Sequence, residues 1–346
     1  MATIKEIAKR VNVSAATVSR VLNYDETLSA SPATKEKIFS TAKELNYQTL
    51  RSRRKQNQFL LKQTAEGLQF RLAMILLHSK EEETNDPFWL SIREGVEKEC
   101  ALRGISSVKL IRLQQLTGAE KEFSDLDGLI IIGRVDGAIL KSLNLYNRNI
   151  VLINQEAAEY DSVVFDFDKA TCLALDHLTK RGYSRIGYIG GKEKITVAEL
   201  QALKKNNTKD VRKIVYENKM RQRNSFDPEL VYVKEYTIQS GYDLMKLAIE
   251  KGNLPEAFFI ASDSMALGAL RALQEANIRV PEQIGIVSFN DIEIAQYTSP
   301  PLTTVKIPTE EMGRMGVKLM IDRLQGRELP LKVLVPAELV VRESCI

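Results

Sequence analysis

The feature that most constrains this chain is a change of hydrophobic rhythm near residue 71. Before it, apolar and small residues recur at helical spacing: Ile4, Ile7, Ala8 and Val11, then Thr17, Val18, Val21 and Leu22, then Ile38, Thr41, Ala42 and Leu45. After it, short and mostly β-branched runs take over at Leu72–Leu77, Leu129–Ile132, Ile150–Ile153, Ile186–Ile189, Ala257–Ala261 and Ile284–Phe289. Helical stretches separate them at Trp89–Arg103, Lys169–Arg181, Ser240–Lys251 and Ser264–Ala276. The first rhythm suits one small helical core. The second implies parallel sheets covered on both faces. Six or more strands over about 270 residues divide better into two open sheets than one. Ligands of such sheets bind beyond the carboxyl ends of the strands, often in a cleft between two domains.

Local signals mark the helices of the head. Asn12-Val13 makes a brief turn and Ser14 is a good N-cap for the second helix. A polar loop, Asn23–Ser31, precedes a third helix with Ser31 as cap and Pro32 in its first turn. Residues 48–70 differ in kind: Arg51, Arg53, Arg54 and Lys55 crowd together, Gln and Asn follow, and no core face forms before Phe59-Leu60-Leu61. The expected domains are a head over 1–47, a basic linker over 48–70, one core subdomain over 71–154 plus 291–322, and a second over 155–290 plus 323–346.

Charge is unevenly spread. Residues 1–70 hold 12 Lys+Arg against 6 Asp+Glu, and the remainder holds 37 against 39. A basic head on a nearly neutral body points to a polyanionic partner for the head, or to a solvated charged surface. The three cysteines, Cys100, Cys172 and Cys345, form no Cys-x-x-Cys pair, so neither a disulfide framework nor a zinc site is expected. The amino terminus lacks an apolar signal core, and no apolar run approaches the roughly 20 residues of a membrane helix. A reducing cytoplasm fits. No Walker loop is present, and Gly187, Gly190 and Gly191 do not make a dinucleotide fingerprint. The two histidines, His78 and His177, belong to no Ser/His/Asp set. No enzyme, cofactor or metal is expected.

The turn Val11–Ser14 followed by Ala15–Asn23 carries the strongest signal. A second helix of this kind enters the major groove with its amino-terminal residues toward base edges. Ala15 and Ala16 would face the groove floor, where an alanine methyl meets a thymine methyl, and Arg20 matches a guanine edge bidentately. Ser14, Thr17, Ser19 and Asn23 suit phosphates.

On these residues the head resembles that of the lactose/galactose repressor (LacI/GalR) family. The resemblance runs through Ile4–Ala8, Val13–Asn23, Thr34–Ile38 and Leu45-Asn46-Tyr47. It implies a helix-turn-helix head on an α/β, periplasmic-binding-protein-like core of two doubly wound parallel-sheet subdomains, with Thr3, Thr34 and Tyr47 as further DNA contacts. Members insert a hinge helix into the minor groove, where an apolar wedge opens a base step. Where the family has Tyr-x-Pro-Asn-x-x-Ala-Arg-x-Leu, this chain reads Tyr47–Gln56, without the Pro, the Asn or the wedge Leu. Arg54 matches and Gln56 stands at the wedge position. This hinge is expected to act through phosphates, with Arg51, Arg53, Arg54 or Lys55 near the backbone or minor groove; the alternative is a flexible basic linker.

The resemblance continues through Asp86-Pro87-Phe88-Trp89, Asp127-Gly128-Leu129-Ile130, Ile186–Gly191 and Ala261–Ala269. In detail the core looks closest to galactose and evolved-β-galactosidase repressors. It implies a small sugar between the subdomains, contacted by Phe88, Trp89, Asn154, Arg212, Tyr236, Ser262 and Asn290. Planar polar groups match paired hydroxyls, and an aromatic face matches the C–H surface of a sugar. Other readings stay open. Arg212 could lie on the surface of a charge-rich helix, Tyr236 and Trp89 could be core aromatics, and Asn154 and Asn290 could be turn residues. The resemblance further implies a homodimer on a palindromic operator, in the bacterial cytoplasm and at the nucleoid when bound, with the sugar shifting the population of two domain orientations. The rival classes are a solute receptor without transcriptional role and a nucleotide-using enzyme.

Overall fold

The computed structural model describes residues 3–22, 31–45, 70–112, 123–199, 202–208 and 210–345. Two compact units, Met1–Gln69 and Phe70–Ile346, make up the chain. In the first, α1 (Ile4–Val11), α2 (Ala15–Leu22) and α3 (Pro32–Glu44) form where the apolar spacing predicts them. Each begins at a hydroxyl cap. Thr3 accepts from Glu6 N–H, Ser14 from Thr17 N–H at 3.0 Å, and Ser31 from Thr34 N–H at 3.2 Å. Asn12 ends α1 in the left-handed conformation, which starts the turn into α2. Ile7, Ala8, Val11, Val18, Val21, Ile38 and Ala42 close the core among the three helices. The linker 48–69 lies outside the described residues.

The second unit has two six-stranded sheets. The first runs in the order β13-β5-β4-β3-β1-β2, with β1 Arg71–Leu76, β2 Ser107–Arg112, β3 Gly128–Ile132, β4 Ile150–Ile153, β5 Asp161–Phe165 and β13 Lys332–Val335. Every pairing in it is parallel. The second runs β14-β12-β11-β10-β6-β9, with β6 Ile186–Gly191, β9 Val231–Lys234, β10 Ala257–Ile260, β11 Gly285–Asn290, β12 Thr303–Lys306 and β14 Glu338–Val340; only β14 is antiparallel. The central strands are buried throughout, as strands covered on both faces must be. Helices α4 (Lys80–Asn85), α5 (Pro87–Leu102), α6 (Gly137–Tyr146) and α11 (Thr309–Leu324) belong to the first lobe. Helices α7 (Phe167–Lys180), α8 (Val211–Gln222), α9 (Ile238–Glu250) and α10 (Asp263–Glu275) belong to the second. A hairpin of β7 (Glu193–Glu199) and β8 (Ala202–Thr208) leaves the second lobe after β6 and touches α6 of the first.

The chain passes between the lobes three times, and the expected crossing points are corrected. The first crossing is at Asp166, between β5 and α7, not after residue 154, because β5 returns to pair with β4. The second is at Ile307-Pro308, not at 291, because β12 still pairs with β11. The third is at Pro336-Ala337, not at 323, because β13 pairs with β5.

Each lobe has one helix pair packed backbone to backbone. A β-carbon on Gly313 of α11 would come within 2.1 Å of the Ile92 carbonyl oxygen of α5. One on Gly268 of α10 would come within 1.9 Å of the Ile238 carbonyl oxygen of α9. Carbonyl groups in packed helices have nowhere to move, so Gly268→Ala is expected to destabilise the core by about 1–3 kcal/mol. An unchanged urea midpoint would contradict the close approach.

Candidate functional site

The carboxyl ends of both sheets face a single cleft, which holds a cavity of about 510 Å³. Six of the seven expected effector residues line it: Phe88, Trp89, Asn154, Arg212, Tyr236 and Asn290.

Asn154 follows β4 and Asn290 ends β11. Both have positive φ, 66° and 110°, in a region that Asn visits more readily than most side chains. Both are buried, at 9% and 6% exposure, and neither side-chain amide has a hydrogen-bond partner among the described residues. Two amides from opposite lobes therefore present donors and acceptors to the cavity. Asn290 also ties the site to the second crossing, since its carbonyl accepts from Ile307 N–H at 3.3 Å.

Arg212 is buried, which removes the surface reading. It sits in the first turn of α8, behind the N-cap Asp210. Its Nε donates to Asp210 Oδ1 at 3.1 Å and its Nη1 to the Ala261 carbonyl at 2.9 Å. The guanidinium lies over three rings, 4.7 Å from the Tyr236 centroid, 5.5 Å from Phe289 and 5.7 Å from Phe167. The Tyr236 hydroxyl donates to Asp210. Gly191 permits this packing: a β-carbon there would come within 2.2 Å of the Tyr236 ring. Tyr236 thus lines the cavity and also braces Arg212. Trp89 stacks on His78 with centroids 3.7 Å apart, and Phe88 meets its edge at 4.9 Å.

Ser262 is a correction. It is fully buried away from the cavity and N-caps α10, accepting from Met265 N–H at 3.2 Å. The next residue, Asp263, holds the turn after Asn290. It accepts from Ser288 Oγ at 2.5 Å, Thr304 Oγ1 at 2.7 Å and Ile292 N–H at 2.8 Å. Burial pushes its carboxyl up to about 7 against those donors.

Sequence reasoning missed Asp86, Asp210, His78, Phe165, Phe167, Arg134 and Lys192 at or beside the cavity. Asp86 was quoted in a motif but not as a site. It N-caps α5, accepting from Phe88 N–H, so an Asp before Pro was the available signal. Asp210 had the same signal, a cap ahead of a helix.

In the head, Ala16 and Arg20 are exposed one helical turn apart on α2, Ser14 is exposed beside them, and Thr17 and Ser19 are half-buried. Ala15 differs from expectation in packing partly against the three-helix core. Thr3 is exposed at the start of α1, and Thr34 on α3 is half-buried with its hydroxyl 2.8 Å from Ser31 Oγ. Asn23, Tyr47, Arg51, Arg54, Lys55 and Gln56 lie outside the described residues.

Residues 3–49 match the family described as bacterial regulatory proteins, lacI family, and residues 175–345 match the periplasmic binding protein-like domain. The repressor MelR of Bacillus subtilis is 46% identical over 348 residues, covering 100% of this chain and 98% of its own. The regulator GalR of Lacticaseibacillus casei is 34% identical and covers both chains in full. This chain belongs to the LacI family. Its members with these names are regulators of transcription and not enzymes, and this LacI-family chain is a DNA-binding transcriptional repressor. Two solved structures share the fold: the lac repressor bound to ONPG, with TM-score 0.67, 24% identity and 99% of each chain covered, and a CelR–cellobiose complex, with TM-score 0.63, 24% identity, and 99% of this chain and 100% of that one covered.

Burial pushes the Asp86 carboxyl up to about 6 from 3.8, with the Phe88 N–H and the Arg212 charge pulling the other way. A raised folded-state value penalises the ionised form. The penalty is absent below 3.8, grows as pH rises, and is complete above about 6. Asp86→Asn keeps the cap and is expected to stabilise the core by up to about 3 kcal/mol at pH 7.5, with the difference vanishing below pH 4. Parallel urea curves at both pH values check this.

Proposed function

We propose that this repressor controls a sugar-utilisation operon, that of a galactoside, through a small sugar bound in the cleft. The observation that carries the reading is the pair of buried amides, Asn154 and Asn290, which have no hydrogen-bond partner among the described residues and line the cavity from opposite lobes with Arg212 and several aromatic rings. A sugar hydroxyl is both donor and acceptor, so it suits an amide as an anion or a hydrocarbon does not. The galactoside choice rests on the wording of the core and on relatives named GalR and GanR. The cellobiose complex of CelR supports a sugar in this fold.

The proposed assembly is a homodimer on a palindromic operator, in the cytoplasm and at the nucleoid when bound. Ser14, Ala16, Thr17, Ser19 and Arg20 meet DNA through α2, with Thr3 and Thr34 beside it, and the basic hinge holds phosphates. The cleft has two lobe orientations, and the sugar binds one of them better, which releases the operator.

Selection from random duplexes, with and without a panel of galactosides, tests this. A palindrome enriched without sugar and lost with one galactoside is expected; a palindrome insensitive to every sugar would overturn sugar control. Arg20→Ala is expected to cost about 1–3 kcal/mol of operator binding and to relax specificity at one base pair. Asn290→Ala is expected to weaken the sugar by tenfold or more, about 1.4 kcal/mol. Gel-shift titration of each variant reads both effects.

A further inference from the structure

We infer that the β7–β8 hairpin is a strap, which fastens the second lobe to the first on the α6 side of the cleft and limits how far the cleft opens. The hairpin belongs to neither six-stranded sheet. Its strands pair with each other, from Glu193 with Thr208 to Glu199 with Ala202. A two-stranded hairpin by itself is marginally stable at best in water, so its support comes from what it packs on. That element lies in the other lobe: β7 meets α6, the helix that follows β3. The sequence agrees with the side that makes contact. β7 reads Glu-Lys-Ile-Thr-Val-Ala-Glu, rich in β-branched residues, and β8 reads Ala-Leu-Lys-Lys-Asn-Asn-Thr, largely polar. The more apolar strand is the one against the helix.

Both roots of the hairpin stand at the site. Lys192, just before β7, lines the cavity, and its N–H donates to the Lys234 carbonyl at the end of β9 at 2.9 Å. Asp210, just after β8, caps α8 and holds Arg212. A seven-residue strand rising about 3.4 Å per residue reaches roughly 20 Å. The hairpin therefore leaves the carboxyl end of the second sheet and bridges to a helix that begins beyond the carboxyl end of the first. Its position makes it a brace. The crossings join the lobes at the β5–β13 side of the first sheet and the β12–β14 side of the second. The hairpin starts from β6, three strands away from β12, or roughly 14 Å at about 4.8 Å per strand. A tie at that distance from the crossings opposes the rotation that the crossings themselves leave free. When the lobes swing apart on this side, β7 leaves α6 and the hairpin loses its support. Opening of the cleft and fraying of the hairpin are then one event.

Two measurements on the full-length protein test this. The first is hydrogen exchange along residues 193–208. Ladder amides held by α6 are expected to exchange about a hundredfold or more slower than unstructured chain. Exchange at unstructured rates would overturn the inference, because a hairpin that is not held cannot tie the lobes. The second uses Trp89, the one tryptophan of the chain, which lines the cavity half-buried. Residues 194–207 are replaced by Asn-Gly, so that Glu193 and Thr208, already paired, flank a tight turn. Acrylamide is expected to quench Trp89 about twofold or more efficiently in this variant, because the cleft opens further without its strap. Where the shortened chain does not fold, the same quenching is read on Thr196→Pro/Val197→Pro, which takes one N–H from the ladder at full length. Equal quenching in the parent and a folded variant would overturn the inference, whatever ligand the cleft takes.

Discussion

Three connections of one or two residues, at Asp166, Ile307-Pro308 and Pro336-Ala337, hold the two lobes of the core together. Segments this short leave the lobes no freedom to separate. They do leave a rotation in which backbone torsions change at a few positions, as hinges do. The same connections fix which edges of the sheets meet. Because β5 runs straight into the first crossing and β12 into the second, the carboxyl ends of both sheets face one cleft. The cavity follows from the topology before any side chain is considered.

Within the cleft, charge is handled by pairing. Arg212 and Asp210 are both buried, and an unpaired charge there would cost several kcal/mol. Two Arg–Asp hydrogen bonds, a backbone carbonyl and three aromatic faces compensate the guanidinium. Among the described residues the amides of Asn154 and Asn290 have no such compensation. That contrast separates the framework of the site from the groups left for a ligand. Asn290 lies at a junction: Asp263 pins the turn after it, and its carbonyl holds the Ile307 N–H of a crossing. A ligand that draws on Asn290 therefore acts on the hinge through one peptide.

The head, the central strands and most long helices were legible in the sequence, because burial on one face or on both leaves periodic apolar residues. The edges were not. Strand β2 reads Ser-Val-Lys-Leu-Ile-Arg and is largely exposed, and β13 and β14 begin with Lys332 and Glu338. The short strands β5 and β12 were not placed in their sheets either, and without the pairings of β5, β12 and β13 the crossings were misplaced. At the cavity, residue type singled out Asn154, Arg212 and Asn290, which line it. Ser262 was misplaced because a serine before a helix serves equally as cap or contact, and only the packing around α10 decides. Asp210 and Asp86 were passed over for the converse reason: both are caps that also reach the cavity or its framework.

The proposed cleft sugar and the operator act on the same equilibrium between lobe orientations. Linkage makes this testable in a form independent of any structure, because coupling between two binding sites is reciprocal. The decisive measurement is the affinity of an effector galactoside for the free protein and for the protein saturated with its selected operator. Operator is expected to weaken the sugar by the same factor by which sugar weakens the operator. Equal sugar affinity in the two states would mean that the cleft and the head are not coupled, and would contradict it.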